Sequence, residues 1–475
     1  MKRSKTSEED SSSGYKKYKQ SIDSGNSDDD DFYQEILDVI RKSLAADEKL
    51  NLKFDGENIF YNRLQPEDRK KSKSKRLVTI KELLDVDNLE SAALSSFCVN
   101  YDFIFSLIPM LTKNIPVTLI EHWKQGPGED GEEQGRKTMR IGKSSMCVCH
   151  PYLLPSHSIV HAKLMLLEFP RFLRVVISSA NLTPSDWQDY TQCIWVQDFP
   201  KLKNDQMFQG NAFQKDLCKF WSRLTCELPH EWLMRYDFSD AKVDLVPSVP
   251  GCHKGSAKSQ YGHMCLRSLV RNNITSQQAQ VLKNNDLYIQ TSSVGALYTR
   301  WLSEFTKSCN VDYVPSPSSS TRKNQIKIVF PTVDTAKNSK VNGVICLRSS
   351  AYSGKEFPTH AFCDYQSNLK SQGCNLAHSK IIVHKSEVDG TSDGSTGWVY
   401  VGSHNFSMSA WGRLQKHETQ LQISNYELGV LFKNLPPGFK LPFKTPAKSY
   451  KENEKPFIYD EGFQDFYEQL SSTKE

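Results

Sequence analysis

His161-Ala162-Lys163-Leu164-Met165-Leu166-Leu167 decides how this chain is read. On an extended strand, residues two apart point to the same face. His161 and Lys163 would then present an imidazole and an ammonium to one spot, at the mouth of an apolar run that anchors them. An isolated H-x-K is a common surface pair on an edge strand. Here a second copy, His378-Ser379-Lys380-Ile381-Ile382-Val383, stands in the other half of the chain.

The repeat continues downstream of each copy. Ser179-Ala180-Asn181-Leu182-Thr183-Pro184-Ser185-Asp186-Trp187 follows the first, and Ser403-His404-Asn405-Phe406-Ser407-Met408-Ser409-Ala410-Trp411 follows the second. Both fit S-x-N-Φ-[ST]-x-S-x-W, which marks an internal duplication. Duplicated halves usually pair about a pseudo-two-fold axis, with a shared site at the interface. Strands alternate with helical stretches such as Gln209 to Leu224, so the expected class is α/β.

Outside the repeat, the 475 residues allow two or three domains. The longest apolar runs fall far short of the roughly 20 residues that span a bilayer. The first residues lack a secretory pattern, so a soluble intracellular protein is expected. The twelve Cys are scattered, with Cys147 and Cys149 the only close pair. No C-x2-C pairs occur at zinc spacing, and reduced, mostly buried thiols are expected.

Charge is unevenly spread. Residues 1–50 hold 9 Lys/Arg against 12 Asp/Glu, a net of −3, which leaves +8 on the remainder of a chain whose total is +5. A basic body behind an acidic tail suits a polyanionic ligand. Residues 1–30 carry almost no apolar side chains and are expected to be disordered. Phe32, Ile36, Ile40 and Leu44 then give one helical stripe over 32–48, behind Asp28-Asp29-Asp30-Asp31. That acidic cluster with Ile36, Val39, Ile40, Ser43, Leu44 and Asp47 resembles the ubiquitin-interacting motif, although Val39 replaces the preferred Ala. The resemblance implies ubiquitin as a partner of residues 29–48.

Further expectations concern the body of the chain. Arg69 to Arg76 is a basic loop with six positive residues in eight. Leu77 to Leu94 has helical spacing, and Phe103 to Leu111 reads as a helix. Strands are expected at Val117–Ile120, Ser145–Cys149, His161–Phe169, Arg174–Ser178, Leu287–Thr291, Ile326–Phe330, His378–His384 and Trp398–Val401. Gly126 to Gly135 reads as a Gly- and acid-rich excursion, Val311 to Arg322 as a Pro/Ser loop, and Ser386 to Gly397 as a polar insert. The Pro-, Gly- and Ser-containing stretch Val246 to Lys258 is the expected domain boundary.

The chemistry follows from the duplicated residues. Lys163 and Lys380 supply fixed positive charge, and Asn181 and Asn405 supply neutral donors. Together they form a cradle for a tetrahedral phosphate ester. Two imidazoles, with unperturbed pKa near 6.5, can share the work of nucleophile and acid/base. A divalent-metal site would want carboxylates at the same point, and neither motif is read as supplying an Asp. No cofactor is expected.

H-x-K followed by Asn, twice, resembles the phospholipase D superfamily. Its commonest form is H-x-K-x4-D, but Glu168 and Lys385 occupy the D positions here. That departure is similar to the tyrosyl-DNA phosphodiesterase branch, as are Leu173 to Trp195, Val401 to Trp411, Thr419 to Phe432 and the Ser292-Ser293-Val294-Gly295 turn. The resemblance implies two similar α-β-α sandwich domains, at 51–248 and 249–475, with the site between them. It implies His161 as nucleophile and His378 as general acid, then base. Lys163, Lys380, Asn181 and Asn405 would bind phosphate, Gln192 and Glu427 would orient the imidazoles, and Ser293 would contact the DNA backbone.

The resemblance further implies a nuclear, monomeric DNA-repair enzyme acting on 3′ ends that carry a tyrosyl peptide of topoisomerase I. The pattern of residues leaves open a phosphodiesterase for RNA, lipid or a 5′ adduct, and a non-catalytic DNA-end or ubiquitin adaptor. The family often has an aromatic residue four before the first His; here that position is His157, a weaker stacking group.

Overall fold

Two mixed β-sheets carry the duplication in the computed structural model. It describes residues 52–458 except 65–75, 123–134, 154–157, 204–209, 284, 312–325, 340–348, 353–356, 370–374 and 387–395. The tail, the 32–48 helix, His157, the Pro/Ser loop and nearly all of the basic loop, the acid-rich excursion and the polar insert lie outside the described residues.

The first sheet comprises β1 (Asp55–Asn62), β2 (Leu77–Val78), β3 (Ser91–Ser96), β4 (Val117–Glu121), β5 (Gly135–Ile141), β6 (Ser144–His150), β7 (Leu164–Glu168), β8 (Phe172–Ser178) and β9 (Cys193–Pro200). The second comprises β10 (Asp244–Ser248), β12 (Leu287–Gln290), β13 (Ile326–Val329), β14 (Phe362–Cys363), β15 (Ile381–Lys385), β16 (Gly397–Gly402) and β19 (Glu427–Phe432). A small third sheet joins β11 (Gly251–Lys254), β17 (Arg413–Gln415) and β18 (Gln420–Ile423).

The two large sheets repeat one another. Strand order β1-β9-β8-β7-β3-β4-β6 in the first matches β10-β19-β16-β15-β12-β13-β14 in the second. Pair directions agree step by step: four antiparallel contacts, then two parallel ones. The first sheet adds β2 at one edge and β5 at the other. Reciprocal bridges tie the halves together: Val160 pairs with Tyr426 and Thr191 with Ala377. The residue before each His thus meets the residue before the orienting side chain of the other half, as a pseudo-two-fold relation requires. Both sheets contribute to one core cluster, and Lys53–Glu475 forms one compact unit.

Several sequence expectations are corrected. Leu77 to Leu94 is not one helix. A five-residue helix, α1 (Ile80–Leu84), starts at a Thr79/Glu82 capping box and stops where Asp85 turns left-handed at φ 42°. Its apolar residues then give way to β3, a strand buried between β7 and β4. The helix expected from Phe103 is α2 (Tyr101–Leu107), started by the Asn100 cap. The strands after both H-x-K pairs begin later than expected, at Leu164 and Ile381. Val246 to Lys258 holds strands β10 and β11, and β10 already pairs with β19 of the second sheet.

Candidate active site

The pairs His161/Lys163 and His378/Lys380 are the backbone entry into β7 and β15, and the bridges described above pin them. The His161 amide donates to the Tyr426 carbonyl at 2.9 Å, and the His378 amide to the Thr191 carbonyl at 2.8 Å. Each Lys curls back so that its Nζ donates to the carbonyl of its own His, at 2.7 Å for Lys163 and 2.5 Å for Lys380. All four side chains are buried.

The orienting groups come from the opposite half. Glu427, which starts β19, places Oε2 2.8 Å from His161 Nδ1. Gln192, just before β9, places Oε1 3.2 Å from His378 Nδ1. Each is steadied by the serine that opens the repeated nine-residue motif. Ser403 Oγ donates to Glu427 Oε2 at 2.6 Å, and Ser179 Oγ to Gln192 Oε1 at 2.7 Å. Asn425 Nδ2 donates to the second Glu427 oxygen at 3.1 Å.

One acidic residue was missed by the sequence reading, which saw no Asp in the motifs. Asp186 Oδ1 lies 3.0 Å from His378 Nδ1 and accepts Gln192 Nε2 at 2.8 Å. It sits on the short helix α3 (Pro184–Gln188), which Thr183 caps. The second copy has Ala410 at the matching position, so Asp186 breaks the symmetry of the repeat. That difference between copies was the available signal.

The hydrogen-bond partners fix the tautomers. Nδ1 of both imidazoles faces acceptors, so Nδ1 carries the proton and each Nε2 is left for the cleft. Burial lowers the His161 pKa to about 4, with Lys163 adding to the shift and Glu427 opposing it. Burial and Lys380 lower His378 to about 3 against the pull of Asp186. Burial alone would raise Glu427, but His161, His404 and Lys163 outweigh it and bring it down to about 2. Burial likewise opposes, and His378 with its hydrogen bonds overcomes, a shift that leaves Asp186 below the usual carboxylate range. Burial depresses Lys163 to about 8. Lys380 is depressed by burial and by Lys163, so the two ammoniums feel one another.

The resulting field has a direction. Two carboxylates stand behind the imidazoles at Nδ1, and two mutually repelling ammoniums stand beside them. An anion between the ammoniums relieves that repulsion. A bound anion beside an imidazole favours its charged form, in which Nε2 also carries a proton.

The remaining expected residues lie around this centre. Asn181 Oδ1 accepts the Cys98 amide at 3.3 Å, and Asn405 Oδ1 accepts Thr291 Oγ1 and Ser292 Oγ, both at 3.3 Å. Ser293 is half-buried in the turn after β12, where its carbonyl accepts the Phe406 amide at 3.2 Å. Glu168 takes no part, because it binds Ser91 and Tyr236 at the far end of β7. Two further neighbours were not foreseen. The half-buried Phe97 ring lies 5.5 Å from His161 and stacks on His122 at 5.1 Å. His404 lies buried behind Glu427, 2.9 Å from Ser248 Oγ.

The tyrosyl-DNA phosphodiesterase family model matches residues 58–461. Tyrosyl-DNA phosphodiesterase 1 of Arabidopsis thaliana is 30% identical over 371 residues, covering 75% of this chain and 58% of that protein. The chain therefore matches less than two thirds of that relative's length. A probable tyrosyl-DNA phosphodiesterase of Caenorhabditis elegans is 25% identical over 410 residues, covering 82% and 86%. In fold, the crystal structure of the yeast tyrosyl-DNA phosphodiesterase superposes with a TM-score of 0.59 at 17% identity, over 84% of this chain and 99% of that one. The chain belongs to the tyrosyl-DNA phosphodiesterase family.

Proposed function

We propose that this protein hydrolyses the phosphodiester between a DNA 3′ end and a tyrosine of a topoisomerase I-type adduct, along with other 3′-blocking groups. The observation that carries the reading is the pairing of each buried imidazole with a carboxylate at Nδ1, beside the buried lysine of its own H-x-K.

In the first step His161 Nε2 attacks phosphorus. A P–N bond forms, the P–O bond to tyrosine breaks, and the proton on His378 Nε2 goes to the phenolic oxygen. Glu427 stabilises the positive charge that develops on the His161 ring. In the second step water attacks phosphorus, His378 Nε2 takes its proton, and the P–N electron pair returns to His161. The product is a 3′-phosphate. Lys163, Lys380, Asn181 and Asn405 hold the non-bridging oxygens. Gln192 and Glu427 orient the rings, and Ser293 contacts the DNA backbone.

Both carboxylates are committed to imidazoles, and the lysines supply the charge, so this scheme runs without a metal or other cofactor. The same reading takes the enzyme to act as a monomer in the nucleus, with residues 29–48 contacting ubiquitin. Release of tyrosine from a 3′-phosphotyrosyl oligonucleotide in the presence of EDTA tests the activity. Tight DNA binding with no release overturns it.

A further inference from the structure

Strand β5 has no counterpart among the described strands of the second sheet. It is the edge strand of the first one among the described residues, and it carries Arg136, Lys137 and Arg140, with Lys143 in the turn to β6. All four are exposed, and none has an ion-pair partner among the described residues. Residues 136–140 are exposed without a break, so neither face of the strand is covered.

The placement of this strand relative to the catalytic centre is fixed by the sheet. From β7, entered through His161 and Lys163, the order runs β3, β4, β6, β5. Four inter-strand steps put β5 about 19 Å away. Described residues lie along the rim between them. Phe97 at the end of β3 packs on His161 and stacks on His122 after β4. Glu121 at the end of β4 accepts Tyr101 Oη at 2.9 Å and lies 3.1 Å from Nε2 of His150, at the end of β6. Arg136 stands opposite Cys149, next to His150, so the basic strand starts at this rim and runs away from it.

We propose that β5 is a second contact for the DNA strand whose 3′ end occupies the candidate site, binding its phosphates several nucleotides upstream. The inference rests on the phosphodiesterase reading above. Charge complementarity selects a polyanion, and the rim leading from His161 selects the substrate's own strand. Basic residues on an edge also deter edge-to-edge pairing of sheets, but that role needs no path to the catalytic centre and no dependence on substrate length. Glu129, Asp130, Glu132 and Glu133 precede β5 in sequence and lie outside the described residues. A salt slope reads the net charge that the DNA meets.

The test compares wild type with the triple variant R136Q/K137Q/R140Q. For a 20-nucleotide single strand with a plain 3′-hydroxyl, binding by fluorescence anisotropy should weaken about tenfold near 0.1 M salt. The slope of log affinity against log salt should fall by about 2, because three contacts at roughly 0.7 each are lost. With 3′-phosphotyrosyl substrates, the variant should match wild type on a thymidine 3′-aryl phosphate and on a three-nucleotide strand, and lose about tenfold in kcat/KM on the 20-mer. An unchanged slope, or equal loss on the mononucleotide and the 20-mer, overturns the proposal. Tighter binding of a poly-glutamate peptide than of the oligonucleotide overturns the choice of partner. The binding arm needs no turnover, so a failure of the catalytic reading shows separately, as absence of tyrosine release by wild type.

Discussion

Asp186 and His378 face each other at 3.0 Å, carboxylate oxygen to Nδ1. The first motif supplies this acid and the second does not, so two halves of matching strand order hold their histidines differently. His161 meets one carboxylate directly, while His378 meets an amide and a carboxylate that are themselves hydrogen-bonded together.

Asp186→Asn keeps the shape of the site and removes the charge behind His378. The imidazole then becomes a poorer proton carrier. Turnover should fall on the order of 100-fold, the low end of what a positioned acid/base contributes. KM should change less than about threefold, because the phosphate ligands are untouched. Steady-state kinetics on a 3′-phosphotyrosyl oligonucleotide check this, and an unchanged kcat counts against the role.

Anion binding should be linked to proton uptake. Burial and Lys380 hold His378 down to about 3, so it is neutral at pH 7. A tetrahedral anion beside it favours the charged form and raises that value. The complex then binds more protons than the free protein between the two pKa values, and affinity declines as pH rises through the upper one. Sulfate does not titrate near neutrality, so calorimetry of sulfate binding in two buffers of different ionisation enthalpy reads the protein's own uptake. Net proton uptake is expected on binding. Identical heats in both buffers contradict the linkage.

Arg174 on β8 is buried, with Nε and Nη2 donating to the two Asp198 carboxylate oxygens at 2.7 and 3.0 Å. It also donates to the Leu83 carbonyl, and Phe54, Phe169 and Phe172 surround it. Removing one partner of such a pair leaves the other charge buried. Arg174→Ala should cost about 3–5 kcal/mol, whereas Arg174→Ala/Asp198→Ala should cost less than the sum of the single changes. Urea unfolding of the four proteins checks this, and strict additivity refutes the coupling.

The pattern S-x-N-Φ-[ST]-x-S-x-W located most of the centre because duplication repeats the residues gathered around the two histidines. It could not show Asp186, whose partner position holds Ala410. It also missed β3. Ser91-Ala92-Ala93-Leu94-Ser95-Ser96 lies in the sheet interior with small side chains, so the alternation that marks a half-exposed strand is absent. Strand β5 was missed for the opposite reason: all of its central residues face solvent, and no apolar alternation is needed. Strand order and the reciprocal bridges at Val160 and Thr191 depend on contacts distant in sequence, which local periodicity does not carry.

The central claim is that His161 becomes covalently bonded to the DNA phosphate while His378 manages protons. The most direct measurement uses His378→Asn with a 3′-phosphotyrosyl oligonucleotide, quenched in denaturant and analysed by mass spectrometry. The account predicts a protein–DNA adduct on His161 that accumulates because water is not activated, and no adduct in His161→Ala. An adduct mapped to residue 378 in wild type, or tyrosine release by His378→Asn with no trapped species at any time, would contradict it.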